Sequence, residues 1–184
     1  MIDAPGRANP RFPARAEPAA HAAIQRSLES LLAAHSGPTI GIAGGASGGD
    51  ILFHEVCLDL AIPTRLYLAL PIDAYLQASV AAAGPLWVDR FHALVARLGT
   101  AVQILDDTIA LPASLTQGEP LNIWAHTNLW MVSEAISLAP QRTLLALWDG
   151  RSGDGPGGTE HLVSAAPSLG VDVFPPIQTQ SLFA

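Results

Sequence analysis

Apolar positions along the chain switch between helical and strand spacing. From Glu17 to His35 they recur every three or four residues (Ile24, Leu28, Leu31, Leu32), which puts them on one helical face, and Ser36-Gly37-Pro38 ends the run. Thr39 to Ala43 is a short β-branched and small apolar stretch and predicts a strand. A glycine-rich run to Asp50 separates it from a helix over Ile51 to Ala61, apolar at Ile51, Leu52, Val56, Leu58 and Leu60. Thr64 to Leu70 predicts a second strand, bounded by Ile62-Pro63 and Pro71, and Asp73 to Val80 a short helix. Gly84-Pro85 opens a longer helix, Leu86 to Leu98, with Trp87, Phe91, Leu94, Val95 and Leu98 on one side; proline suits a first helical turn. Ala101 to Leu105 predicts a third strand ahead of Asp106-Asp107, and Thr108 to Pro120 a loop long enough to cover a site.

Leu121 to Leu138 predicts a helix apolar almost all round. Such a helix is packed on more than one side or lies in a subunit interface, and it predicts a homodimer. Thr143 to Trp148 predicts a fourth strand. A glycine-rich stretch from Asp149 to His161, a helix to about Ala166 and a fifth strand over Val171 to Phe174 follow, closed by Pro175-Pro176. The alternation predicts an α/β fold of three layers, a mainly parallel sheet of about five strands with helices on both faces. The expected organisation is an irregular segment over 1–16, one domain over 17–176 and a tail over 177–184.

Composition narrows the functions. Nearly half of the 184 residues are apolar and 14% are charged, enough for a sizeable core, and no apolar run is long enough to span a bilayer. The formal net charge is −7, and the nine basic residues, all arginine, are scattered from Arg7 to Arg151. A nucleic-acid surface needs a clustered basic face, so nucleic acid is disfavoured as a partner. Cys57, alone and within an apolar helical pattern, reads as a small buried hydrophobe. One cysteine and no apolar stretch near the start point to the cytoplasm. The six histidines show no metal-ligand spacing, there is no G-x-S-x-G elbow, and no metal or cofactor is expected.

The chemistry concentrates in two turns. Gly44, Gly45, Ser47, Gly48, Gly49 and Asp50 lie between a strand and a helix, where glycine lets a ligand approach the backbone and the first helical N–H groups have no internal partner. Asp50 also reads as the helix N-cap. The second turn carries Gly157, Gly158, Thr159 and Glu160. Asp149, after a strand and before a glycine, reads either as a turn former or as a ribose- or base-binding group. All of these, with Asp73 and Asp106-Asp107, fall at the carboxyl ends of predicted strands, where parallel sheets bind their ligands.

Two passages resemble the SLOG superfamily, the Rossmann-like group that contains the Lonely-Guy phosphoribohydrolases and the nucleotide-binding domain of the DNA-processing protein A family. They are G-I-A-G-G-A-S-G-G-D-I-L-F-H-E, Gly41 to Glu55, and L-L-A-L-W-D-G…G-P-G-G-T-E-H-L-V, Leu144 to Val163. N-L-W-M-V (Asn128 to Val132) and the stretch Ser79 to Phe91 resemble bacterial members, and the likeness covers roughly Pro38 to Phe174. It implies a cleft for a nucleotide or an ADP-ribose-like compound. The first turn would supply donors to one part, Gly157, Gly158 and Thr159 would hold phosphate, and Asn128 and Asp149 would line the site. It also implies, in a longer protein, a possible effector domain. Lonely-Guy enzymes carry P-G-G-x-G-T-x-x-E with an Arg-Lys pair on the preceding helix. Here the turn is P-G-G-T-E-H, and that helix offers Asn128 and Glu134 without arginine or lysine. The expectation is therefore a ligand-binding sensor ahead of an N-glycosidase, in which Glu160 would be the acid–base carboxylate. Relatives also carry a first strand ending near G-H-M-I-D, where this sequence has Met1-Ile2-Asp3, so either that strand is missing or Ile2 and its neighbours pair unusually.

Overall fold

The structure, a computed structural model, describes residues 1–106, 108–112, 115, 121–151 and 157–183. Strands β1 (Gly41–Ala43), β2 (Thr64–Leu68) and β3 (Val102–Ile104) form a parallel sheet in that order, with Gly41 opposite Thr64 and Leu66 opposite Val102. The crossovers are helical: α2 (Gly49–Asp59) between β1 and β2, then α3 (Ile72–Ser79) and α4 (Pro85–Leu98) between β2 and β3. Strand alternation sends the β2 side chains to two faces. Leu66 and Leu68 point towards Gly45 and towards Phe91 of α4. Tyr67 points the other way, edge-on to Trp130 of α5 (Ile123–Leu138), with ring centroids 4.6 Å apart. All four of these large side chains on β2 and α4, Leu66, Tyr67, Leu68 and Phe91, are buried.

Helix α1 (Glu17–Ala34) packs on α2. Arg90 of α4 joins the three helices: its guanidinium forks onto Glu55 of α2 at 2.8 and 2.5 Å, bonds Glu17 of α1 at 2.6 Å, and stacks 4.1 Å from the Trp87 ring. Helix α5 is capped by the Asn122 side chain, which accepts from the Ala125 amide at 2.9 Å. It buries Ala125, Leu129, Trp130 and Val132 and leaves Ile123, Ile136 and Leu138 exposed.

A single sheet of about five strands is not formed among the described residues. The predicted strand Thr143 to Trp148 is two short pieces, β4 (Thr143–Leu144) and β5 (Leu147–Trp148), running parallel to β6 (Asp172–Val173) and β7 (Ile177–Gln178). The break opposite Leu145-Ala146 has a local cause: Pro175 and Pro176 have no N–H for the ladder. The segments stay side by side across it, with Phe174 N donating to Leu144 O at 3.0 Å and Ile177 N to Ala146 O at 2.8 Å. Ile177–Gln178, expected within a tail, is thus a strand, and Leu182 and Phe183 beyond it pack on the core. Most of the predicted covering loop, with Asp107, lies outside the described residues.

Residues Met1 to Phe12 form no helix or strand, yet they are fixed as a strap. The Asp3 carboxylate accepts the amides of Arg11 and Phe12 at 2.8 and 2.9 Å, closing a loop that buries Ile2 and Phe12 in the main core. Ile2 pairs with the first glycine-rich turn rather than with a strand, its N–H donating to Ser47 O at 2.8 Å. Among the described residues no helix is long and apolar enough to cross a membrane.

Candidate functional site

The first turn runs from the end of β1 at Ala43 to the start of α2. Gly48, at φ +104°, takes the N-cap position, so Asp50 is not the N-cap expected of it. Lying within the first helical turn, Asp50 reaches back and its carboxylate accepts the Ala46 amide at 3.1 Å. The neighbouring amides are also taken: Gly45 N donates to Tyr75 Oη at 3.1 Å and Ser47 N to Ser79 O at 3.0 Å. Gly44, Gly45 and Gly48 are required by close approach, since a Cβ would lie 2.7 Å from Asp50 Oδ2, 3.0 Å from the Leu66 and Phe91 side chains, and 2.7 Å from Ile2 N respectively. Gly45 and Ser47 therefore do not present the free backbone donors expected of them. The Ser47 hydroxyl and the first amides of α2, which carry no side-chain cap, are the groups left for a ligand.

His54 holds this turn from below. It is fully buried, with Nε2 3.0 Å from Gly44 O and Nδ1 2.7 Å from Thr64 Oγ1. A carbonyl only accepts, so Nε2 carries the proton and Nδ1 accepts from the Thr64 hydroxyl. Burial pulls the imidazole down to about 4, keeping it neutral. Burial likewise raises Asp50, and it raises Tyr75, to which the adjoining Asp50 carboxylate adds.

The second turn is built differently. Gly157, at φ +97°, is pressed onto the start of α5, where a Cβ would lie 2.7 Å from both Ala125 N and Trp124 Cβ. Asn128 donates its side-chain N–H to Gly157 O at 2.7 Å, so its amide fixes the turn. Gly158 caps α6 (Thr159–Ala165) without a side-chain bond, and Glu160 stands exposed in the first turn of that helix. Asp149 is only 8% exposed and is held by the Arg11 fork, Nε to Oδ2 at 2.6 Å and Nη2 to Oδ1 at 2.9 Å, while Arg151 N adds a bond at 3.1 Å. The Arg11 guanidinium keeps the Asp149 carboxyl below its usual range. Residues 152–156, the start of this turn, lie outside the described residues.

The two turns meet across one pair of rings. Gly157 rests on Trp124, the Trp124 ring lies 5.8 Å from Tyr75, and the Tyr75 hydroxyl holds Gly45. Tyr75 in turn stacks on Phe91, centroids 5.9 Å apart. No family model, curated protein or solved structure matches this chain.

A cavity of about 360 Å³ adjoins the first turn. Its lining is the strap from Met1 to Arg7, Ser47, and Ala78, Ser79, Ala82 and Ala83 at the end of α3 and just beyond it. Gly157 to Glu160 do not line it. Three participants had no role in the sequence reading: Tyr75, Ser79 and Arg11. The first two lie in the short helix after β2, whose start at the carboxyl edge was the available signal. Nothing in the sequence marks Arg11 as the partner of Asp149, 138 residues away. No group of three or more His, Cys, Asp or Glu side chains able to hold a metal occurs among the described residues.

Proposed function

We propose that the chain is a nucleotide-binding sensor domain. Its ligand is a nucleotide or an ADP-ribose-like derivative, held at the carboxyl edge of a Rossmann-like three-layer frame. The observation that supports this reading is the adjacency of the two turns: two capless helix starts flank the Trp124–Tyr75 pair, although they are more than a hundred residues apart in sequence. Free N–H groups at helix starts favour anions even on a protein of net charge −7, because the field that matters is local. Gly158 and Thr159 take phosphate in this reading, while Ser47, Gly48 and Gly49 serve the rest of the ligand. Asp50, Asn128 and Asp149, engaged as they are with protein groups, hold the turns in shape. The exposed apolar residues of α5 are where two copies would join as a homodimer.

The test is calorimetric titration with AMP and with ADP-ribose, against wild type and Thr159→Asp. Wild type binds, and the added carboxylate at the start of α6 lowers affinity by about tenfold or more through like-charge repulsion. Equal affinity in the two proteins, or no binding by wild type, removes the proposal. Chromatography of the same mixtures covers turnover: release of free base that stops in Glu160→Gln replaces binding with N-glycosidic hydrolysis.

A further inference from the structure

We propose that the cavity under the N-terminal strap is a subsite for a planar heteroaromatic ring, the nucleobase of the ligand; this rests on the nucleotide reading above. About 360 Å³ lies near the lower end of the range for small-molecule sites, room for a base and too little for a whole dinucleotide. Its walls are of two kinds. Ala78, Ala82 and Ala83 extend no side chain beyond Cβ, which leaves a low apolar floor that a flat ring can lie on. Ile2 and Pro5 of the strap supply apolar surface from the other side, and Arg7 stands at the rim, with its guanidinium 3.2 Å from the Asp3 carboxylate. An arginine held in this way can stack on a ring face without giving up its ion pair.

The polar lining is as selective as the apolar one. Ser47 and Ser79 are both buried and both line the cavity. The Ser79 hydroxyl is engaged with Tyr75, so Ser47 supplies the hydroxyl that donates to or accepts from the edge of a base. No carboxylate lines the cavity, so nothing there would attract an ammonium group. Ser47 belongs to both the cavity and the first glycine-rich turn, so a ring placed there lies beside the residue that precedes the Gly48 N-cap of α2.

The experiment compares AMP with ribose 5-phosphate by calorimetric titration of wild type and Ala82→Phe. Ala82 is exposed at the cavity edge, so the larger side chain enters the cavity without displacing core. Expected are AMP binding at least about tenfold tighter than ribose 5-phosphate in wild type, and loss of that advantage in Ala82→Phe with ribose 5-phosphate affinity unchanged. If the variant melts below wild type, Arg7→Ala is read in its place, with a several-fold loss confined to AMP. AMP binding that neither substitution alters overturns the base subsite and leaves the nucleotide reading standing. Wild type that binds neither compound overturns both.

Discussion

Buried histidine makes the stability of this protein depend on pH in a calculable way. His54 is drawn from 6.5 to about 4 by burial, against the opposing pull of its bond to the Gly44 carbonyl. The unfolded chain takes up a proton here below pH 6.5, and the native chain does so only near pH 4. Across that window the unfolded state binds more protons, so stability falls as pH drops. At about 1.4 kcal/mol for each tenfold change, the loss is about 3 kcal/mol by pH 4. The comparison is urea denaturation of wild type and His54→Gln at pH 7, 6, 5 and 4. Glutamine can keep the bond to Gly44 O and cannot titrate, and the carboxylates that also titrate in this range are common to both proteins. At pH 7 the variant is less stable by about 1–2 kcal/mol, for the lost Thr64 bond and the smaller side chain. The gap closes and then reverses towards pH 4. Two stability curves that keep a constant separation from pH 7 to pH 4 would refute the assignment of a neutral His54.

Three further outcomes follow from the geometry. Gly157→Ala meets both a positive φ and two atoms at 2.7 Å, the Ala125 nitrogen and Trp124 Cβ, whereas Gly84→Ala meets a positive φ in open space; thermal melts give a loss of about 1 kcal/mol for Gly84 and several for Gly157. Arg11→Ala leaves the buried Asp149 carboxylate without its fork and costs about 3 kcal/mol; hydrogen exchange shows residues 1–12 losing protection before the rest of the chain. The Cys57 thiol, pushed up to about 12 by burial, stays unmodified by a thiol reagent in native buffer and reacts in denaturant.

The parts of the fold that read well from sequence are those in which one periodicity and one pair of stop signals agree. Helix α1, strand β2 and helix α4 fall within a few residues of expectation, because their apolar faces are regular and Gly or Pro bounds them. The C-terminal strands read less well. Pro175-Pro176 signals a stop, but the chain resumes as β7 on the far side, and only the tertiary partner β5 makes Ile177–Gln178 a strand. The site shows the same division. That two glycine-rich turns should lie at one strand edge follows from alternation alone, although β1 and β5 sit in separate ladders and Trp124 and Tyr75 are what link the turns. Which amides are free does not, because the groups that occupy them, Tyr75, Ser79 and Asp50, depend on how α2 and α3 settle on the sheet. Arg90 illustrates the limit: its neighbour in sequence is Asp89, and nothing local marks Glu17 and Glu55 on two other helices as its partners.

A glycine carries two messages that sequence cannot separate, room for a ligand and room for the protein itself. In the first turn the second message is explicit for Gly44, Gly45 and Gly48, each of which abuts protein atoms within 3.0 Å of a would-be Cβ. Gly49 is different. A Cβ there meets only Leu147, at 3.4 and 3.5 Å, which is ordinary contact, and its φ is not positive. It opens helix α2, where alanine is the better helix former by about 1 kcal/mol. The fold therefore gives no reason for glycine at this position. If the amides at the start of α2 do receive a ligand, a methyl group on Gly49 stands beside them and hinders its approach. Gly49→Ala is thus expected to keep or raise the melting temperature while weakening AMP binding about tenfold. A variant that melts higher and binds AMP as wild type does would take the first turn out of the binding site and leave its glycines explained by packing alone.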